Sequence, residues 1–150
     1  MTRAGTESIP IRPATEQDYA SILLVWRESG LRVSEDGRDG PAAFRDQLAR
    51  FPGLYLVAAD AERVIGVVLG THDGRKGWIN RLAVLPQHRR SGIGSRLVQA
   101  CDRAIRELGI EIVTALVEPR NQASCRLFEK LGFRTDVPVT YFRKVGRPGA

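Results

Sequence analysis

LAVLPQHRRSGIGSRLV, residues 82–98, is the stretch from which the rest of the chain is read. Four apolar residues, Leu82, Ala83, Val84 and Leu85, stop at Pro86; a polar, basic segment leads to Gly92-Ile93-Gly94, where an amphipathic helix pattern begins. The order is strand, tight loop, helix N-terminus. The first turn of a helix leaves backbone N–H groups without partners and carries partial positive charge, so an anion placed there answers both needs. Two glycines let a phosphate approach the main chain, and Arg89 and Arg90 add charge at the rim. Arg89, Arg90, Ser91, Gly92, Ile93 and Gly94 therefore read as a pyrophosphate cradle built mainly of backbone. The usual nucleotide fingerprints, Gly-x-Gly-x-x-Gly after a first strand and Gly-Lys-Ser/Thr, are absent.

The same segment spells R-x-x-G-x-G after a Leu-Ala-Val strand, and resembles motif A of the GNAT superfamily of acyl-CoA-dependent N-acetyltransferases. A second segment, NQASCRLFEKLGF at 121–133, resembles the family's other signature, an Asn-led helix ending in Leu-Gly-Phe. Two signatures in the right order are far more specific than either alone. The resemblance runs over roughly residues 8–145 and is closest to the small stand-alone members.

Composition sets bounds around that reading. A chain of 150 residues suits one domain spanning 1–150, and its 43% hydrophobic and 27% charged residues are ordinary for a globular protein. No apolar run approaches the ~20 residues a membrane helix needs, and the polar start shows no signal peptide, so a cytoplasmic protein with no membrane partner is expected. The formal charge of +6 invites a nucleic-acid partner, but the Lys and Arg residues are scattered rather than striped. No nucleic-acid binding is expected, and positive potential equally suits the phosphates of CoA. Cys101 and Cys125 lack C-x-x-C spacing and nearby His partners, which predicts helix-face thiols, with neither disulfide nor metal site.

Taken in order, 8–12 is a short strand, and Thr15 with Asp18 forms a capping-box signal for a helix bearing Tyr19, Ile22, Leu23 and Trp26 on one face. A Gly- and Asp-rich loop over 30–40 precedes a helix opened by Pro41. Strands at 54–59, 64–71 and 78–85 form a meander, within which Gly66 and Gly70 mark a bulge or a close approach. A helix over 95–108 presents Ile93, Leu97, Cys101, Ala104 and Leu108 along one side. The near-continuous apolar run IEIVTALV at 110–117 predicts a strand covered on both faces and a parallel crossover. Asn121 caps the next helix, and 133–145 reads as two closing strands. The fold expected is α/β, a mixed central sheet flanked by about four helices: antiparallel meander, then parallel crossover, as in GNAT proteins.

The resemblance implies acetyl-CoA as acyl donor and a small-molecule or peptide amine as acceptor, and leaves room for a homodimer. It implies that the 78–85 and 110–117 strands splay apart to admit pantetheine, whose amides pair with the backbone of Leu82, Ala83 and Val84. A main-chain N–H near Ala83 or Val84 polarises the thioester carbonyl, and Asn121 bonds the CoA arm. By the same resemblance the first helix pair forms one wall of the acceptor site, with Trp26, Leu31, Glu35 and Asp36 as specificity candidates; acids at 35–39 and Asp73 offer attraction for a cationic amine.

The chain departs from the family at the proton-donating Tyr, whose place Phe128 fills, and it has no acid in the central strands where a Glu base is often found. Three routes stay open: Asn80 orients a water, Tyr141 reaches the thiolate, or the thiolate leaves unassisted, its pKa near ~8.5 making it a tolerable leaving group. His72, Asp73 and Glu118 are further candidates, and Cys125 lacks anything to activate it. The rival from another class is a degenerate fold that binds acyl-CoA as a sensor without turnover.

Overall fold

The computed structural model describes residues 9–150 except Glu62. Strands β1 (Ile11–Pro13), β2 (Tyr55–Ala59), β3 (Val64–His72), β4 (Lys76–Val84) and β5 (Ile112–Ala115) lie side by side in that order. The first four pair antiparallel and β5 joins β4 parallel, the mixed sheet expected from the sequence. Four α-helices accompany it among the described residues: α1 (Tyr19–Glu28), α2 (Pro41–Arg50), α3 (Ile93–Arg106) and α4 (Gln122–Lys130).

Both faces of the centre are covered, which is why β2 and the first seven residues of β3 are buried without alternation. Helix α3 lies on the face that carries Gly66, Gly70 and Gly77. A Cβ at Gly66 would stand 3.0 Å from Leu97, one at Gly70 2.6 Å from Cys101 Sγ, and one at Gly77 2.4 Å from Ile105. The glycines are therefore a groove for the helix: close approach is found at both Gly66 and Gly70, and a bulge also lies beside Gly66, where β3 spends one residue more than β2 between Ala58↔Gly66 and Ala59↔Val64. Helix α1 packs on β3 and β4, and Phe44 of α2 meets Tyr55 edge-on at 5.1 Å, on the face opposite the glycines.

The start of α1 follows from the capping signal. The Thr15 N–H donates to Asp18 Oδ2 at 2.8 Å, and a 3₁₀ turn, Glu16–Asp18, feeds the helix. The Arg12 guanidinium forks onto the same carboxylate at 2.7 and 2.9 Å, tying β1 to the helix entrance. That fork, more than any other contact, holds the Asp18 carboxyl below the usual carboxylate range. Its folded pKa lies below the unfolded one, so the stabilisation is full above the ordinary Asp value and fades as pH falls through the depressed value. Asp18→Asn is expected to cost about 1–2 kcal/mol at pH 7 and progressively less under acid, read from urea midpoints across pH.

Several expectations are corrected. The first strand is Ile11–Pro13 rather than 8–12, with Ser8 outside the described residues; Pro13 fits because β1 is an edge strand. Helix α3 runs from Ile93 to Arg106, so Leu108 lies past its end and is 55% exposed instead of joining the apolar stripe. Strand β5 has four residues and is not covered on both faces: Ile112 and, beyond its end, Leu116 are each 53% exposed. It forms the sheet's outer edge, where apolar sequence alone brings no cover. The closing strands expected at 133–145 are not formed, and Val137, Val139, Tyr141 and Phe142 are exposed.

Candidate functional site

The site begins at an irregularity in β4. Between the pairs Val67↔Ala83 and Leu69↔Asn80, β4 spends one residue more than β3, and Arg81 takes up the bulge with φ +54°. The β4–β5 ladder has already ended at Ile79↔Ala115, while β4 continues to Val84. From Asn80 onward no strand among the described residues pairs with the outer edge of β4, so the expected parting of the two strands is present. Within that edge Leu82 is half-buried, Ala83 buried, and the Val84 carbonyl accepts from Ser29 Oγ and from Arg89 Nε, each at 3.2 Å.

The loop from β4 to α3 makes the second part. Arg90 and Gly92 both adopt left-handed backbone, φ +63° and +83°, which turns the chain sharply into the helix. Ile93, 1% exposed, anchors the first turn in the core. The first helical bond runs from Arg96 N–H to the Gly92 carbonyl at 3.0 Å, and no side chain caps α3. The N–H groups of Ile93, Gly94 and Ser95 precede that bond and have no intrahelical acceptor. Exposed Arg89 and Arg90 flank them, and Ser91 Oγ donates to the His88 carbonyl, bracing the loop. A Cβ on Gly94 would lie 3.5 Å from Leu127 and 3.9 Å from Val84, so β4, α3 and α4 converge here.

Asn121 caps α4, its Oδ1 accepting from the Ser124 N–H at 3.2 Å, which leaves its amide N–H groups for another partner. Phe128 is 7% exposed and meets Phe133 edge-on at 5.1 Å.

The third part is the wall formed by α1 and the 30–40 connection. Arg81 extends under this wall: its guanidinium stands 4.3 Å over the Trp26 ring, and Nη2 donates to the Arg32 carbonyl at 3.0 Å. Buried Asp39 accepts from the Ser34 N–H at 2.9 Å and approaches Arg81 at 3.5 Å; its carbonyl accepts from Tyr19 Oη at 2.8 Å. Glu35 pairs with Arg27. Two of the acids expected to draw a cationic amine are thus committed to arginines. Tyr55, Leu69 and Asn80 face one another across three strands on this side of the sheet, Asn80 half-buried. Burial keeps the Tyr55 phenol neutral by pushing its pKa up.

Asn80 and Tyr141, the two proton-handling candidates, lie in different places. Tyr141 is 70% exposed, in a surface groove of about 520 Å³ beside Asp36, Arg38 and Arg143. The other candidates serve turns: His72 Nδ1 accepts from the Gly74 N–H at 3.1 Å, Asp73 accepts from the Arg75 and Lys76 N–H groups at 2.8 Å, and Glu118 pairs with Arg120. Cys101 is a core thiol that burial pushes up to about 12. Sequence reasoning passes over Arg81, Tyr55 and Asp39 as individual site residues. The one available signal is an arginine set directly against the apolar run at 82–85.

The model of the acetyltransferase (GNAT) family matches residues 19–133. An acetyltransferase of Photorhabdus laumondii is 27% identical over 123 residues, covering 82% of this chain and 85% of that one. YncA of Salmonella typhimurium, solved with its cofactor acetyl-CoA, superposes with a TM-score of 0.70 at 25% identity, covering 91% of this chain and 88% of that one. The PaiA N-acetyltransferase of Thermoplasma acidophilum, in complex with coenzyme A, shares the fold with a TM-score of 0.75 at 22% identity, over 85% and 90% of the two chains.

Proposed function

The chain belongs to the acetyltransferase (GNAT) family, and on that premise we propose that it moves the acetyl group of acetyl-CoA directly to a primary amine of a small molecule or peptide. The observation that carries the proposal is the unpartnered edge of β4 lying beside an uncapped N-terminus of α3. An extended ligand arm with a polyanionic end needs those two features side by side.

In this reading the N–H groups of Ile93, Gly94 and Ser95, with Gly92, Arg89, Arg90 and Ser91 around them, hold the pyrophosphate. The edge at Leu82, Ala83 and Val84 pairs with the pantetheine amides, Asn121 donates to the same arm, and Phe128 forms its apolar floor. Acetyl-CoA supplies an acyl group already activated as a thioester. A main-chain N–H near Ala83 stabilises negative charge growing on the carbonyl oxygen, because a fixed dipole there reorganises little as the charge appears. The acceptor amine must be neutral to attack; Asn80 orients a water that takes its proton. Phe128 cannot reprotonate the leaving sulfur, so that step falls to Tyr141 swinging inward or to solvent, which a thiolate of ordinary basicity tolerates.

Thiol release from acetyl-CoA across amine classes tests the proposal, together with calorimetry of acetyl-CoA binding. Binding with amine-dependent thiol release is the expected result; absence of binding rejects it. Phe128 favours one second reading, a module that binds acyl-CoA without turnover, and binding with no thiol release from any amine would select it.

A further inference from the structure

We propose that the cluster around Arg81 is a carboxylate subsite for the acceptor, so that the amine acetylated belongs to a molecule that also carries a carboxylate, an amino acid above all. This rests on the transfer reaction proposed above and names its substrate class.

Three buried donors in this wall have no acceptor among the described residues: Trp26 Nε1–H, Tyr55 O–H and Arg81 Nε–H. Trp26 and Tyr55 are 3% and 2% exposed, so bulk solvent does not reach them. Buried donors without partners are rare, because each forfeits its hydration with nothing in return. Here three belong to one neighbourhood. Arg81 lies over the Trp26 ring, and Tyr55 is close enough to sense the charges of both Arg81 and Asp39.

The protein's own acceptors are already committed. Asp39 Oδ2 takes the Ser34 N–H at 2.9 Å, its Oδ1 comes no closer than 3.5 Å to Arg81 Nη2, and the Arg32 carbonyl takes Nη2 at 3.0 Å. Nothing takes Nε. The Nε–H left over can donate to one oxygen of a carboxylate, and a charge shielded from water gains most from an anion. Desolvation, the largest influence on Arg81, lowers its pKa, and Asp39 at 3.5 Å offsets that only in part. A polycationic acceptor would meet repulsion at the same place.

Position fits as well as chemistry. Arg81 sits in the bulge, within the edge of β4 that has no described strand beside it from Asn80 onward, and its side chain keeps 21% exposure. A carboxylate held there leaves an amine a few bonds away near the residues proposed to receive the thioester.

The test uses amino acids, their amides and their decarboxylated amines as matched acceptors in the thiol-release assay. The free amino acids are expected to exceed the decarboxylated partners roughly 100-fold in kcat/KM, because the latter leave the buried donors unpaired. The ratio should collapse towards one in Arg81→Gln, with Arg81→Lys in between. Tyr55→Phe supplies a readout that a purely structural role would not give: thermal stability held or raised, while KM for the amino acid rises severalfold.

A second measurement needs no turnover. In a Trp78→Phe background Trp26 is the sole tryptophan, and its emission should shift when an amino acid binds in the presence of CoA, and not with the decarboxylated amine. Equal use of carboxylated and decarboxylated acceptors overturns the subsite, as does an unmoved Trp26 emission across the amino acids. If acetyl-CoA itself fails to bind, the transfer reading falls, and the Trp26 response to amino acids alone still decides the subsite.

Discussion

Replacing Arg89 and Arg90 together with glutamate is expected to weaken acetyl-CoA binding about 100-fold or more, some 3 kcal/mol, with the fold unchanged. Both side chains are exposed, and the substitution gives up the Arg89 Nε bond to the Val84 carbonyl, so it should move stability by no more than about 1 kcal/mol. The first turn of α3 has N–H groups without an intrahelical acceptor, and reversing two charges at its rim would put repulsion where the proposed pyrophosphate needs attraction. Arg45→Glu with Arg103→Glu, an equal charge change at exposed positions elsewhere, controls for the general field and should weaken binding less than about threefold at 0.15 M salt. Calorimetry reads both. Similar losses in the two double variants would mean that overall charge, not the loop, holds the ligand.

The second large effect is structural. Gly77→Val is expected to destabilise the protein by about 3 kcal/mol, a fall of about 6–12 °C in thermal midpoint for a chain of this size. A Cβ at position 77 would lie 2.4 Å from Ile105 Cγ2 and 3.1 Å from its Cδ1, in a region where Ile105 is fully buried and has nowhere to turn. The helix must lift, and the same rigid α3 carries the anion loop at its other end, so acetyl-CoA affinity should fall with stability. Ile105→Ala alone costs about 2–5 kcal/mol through the cavity it leaves. Combined with Gly77→Val it should cost at least about 1 kcal/mol less than the sum, because each change relieves the other. Strict additivity in chemical denaturation would show that the helix does not seat in the glycine groove.

The elements that were legible in the chain are those with strong local signals. Thr15 and Asp18 announce a helix start, Pro41 another, and Asn121 a third, because capping is settled within three residues of sequence. The turn into α3 was legible for the same reason: glycines directly ahead of an amphipathic pattern mark a helix start. Cover over β5 was not legible, since apolar sequence states a preference for burial and says nothing about whether a partner arrives. The 133–145 tail failed likewise, weak alternation around Pro138 being too little to specify pairing.

What the chain determined by itself was the alternation of elements, the sharp glycine turn into α3, and the absence of a tyrosine at Phe128. Only the tertiary structure decided that Arg81 would occupy a bulge, lie over Trp26 and share its neighbourhood with Tyr55, residues separated by 55 and 26 positions in the sequence of the chain. Local chemistry acts over a few residues and can be read in order. Which donors are left without acceptors depends on every surface that closes over them, and that is a property of the packed fold.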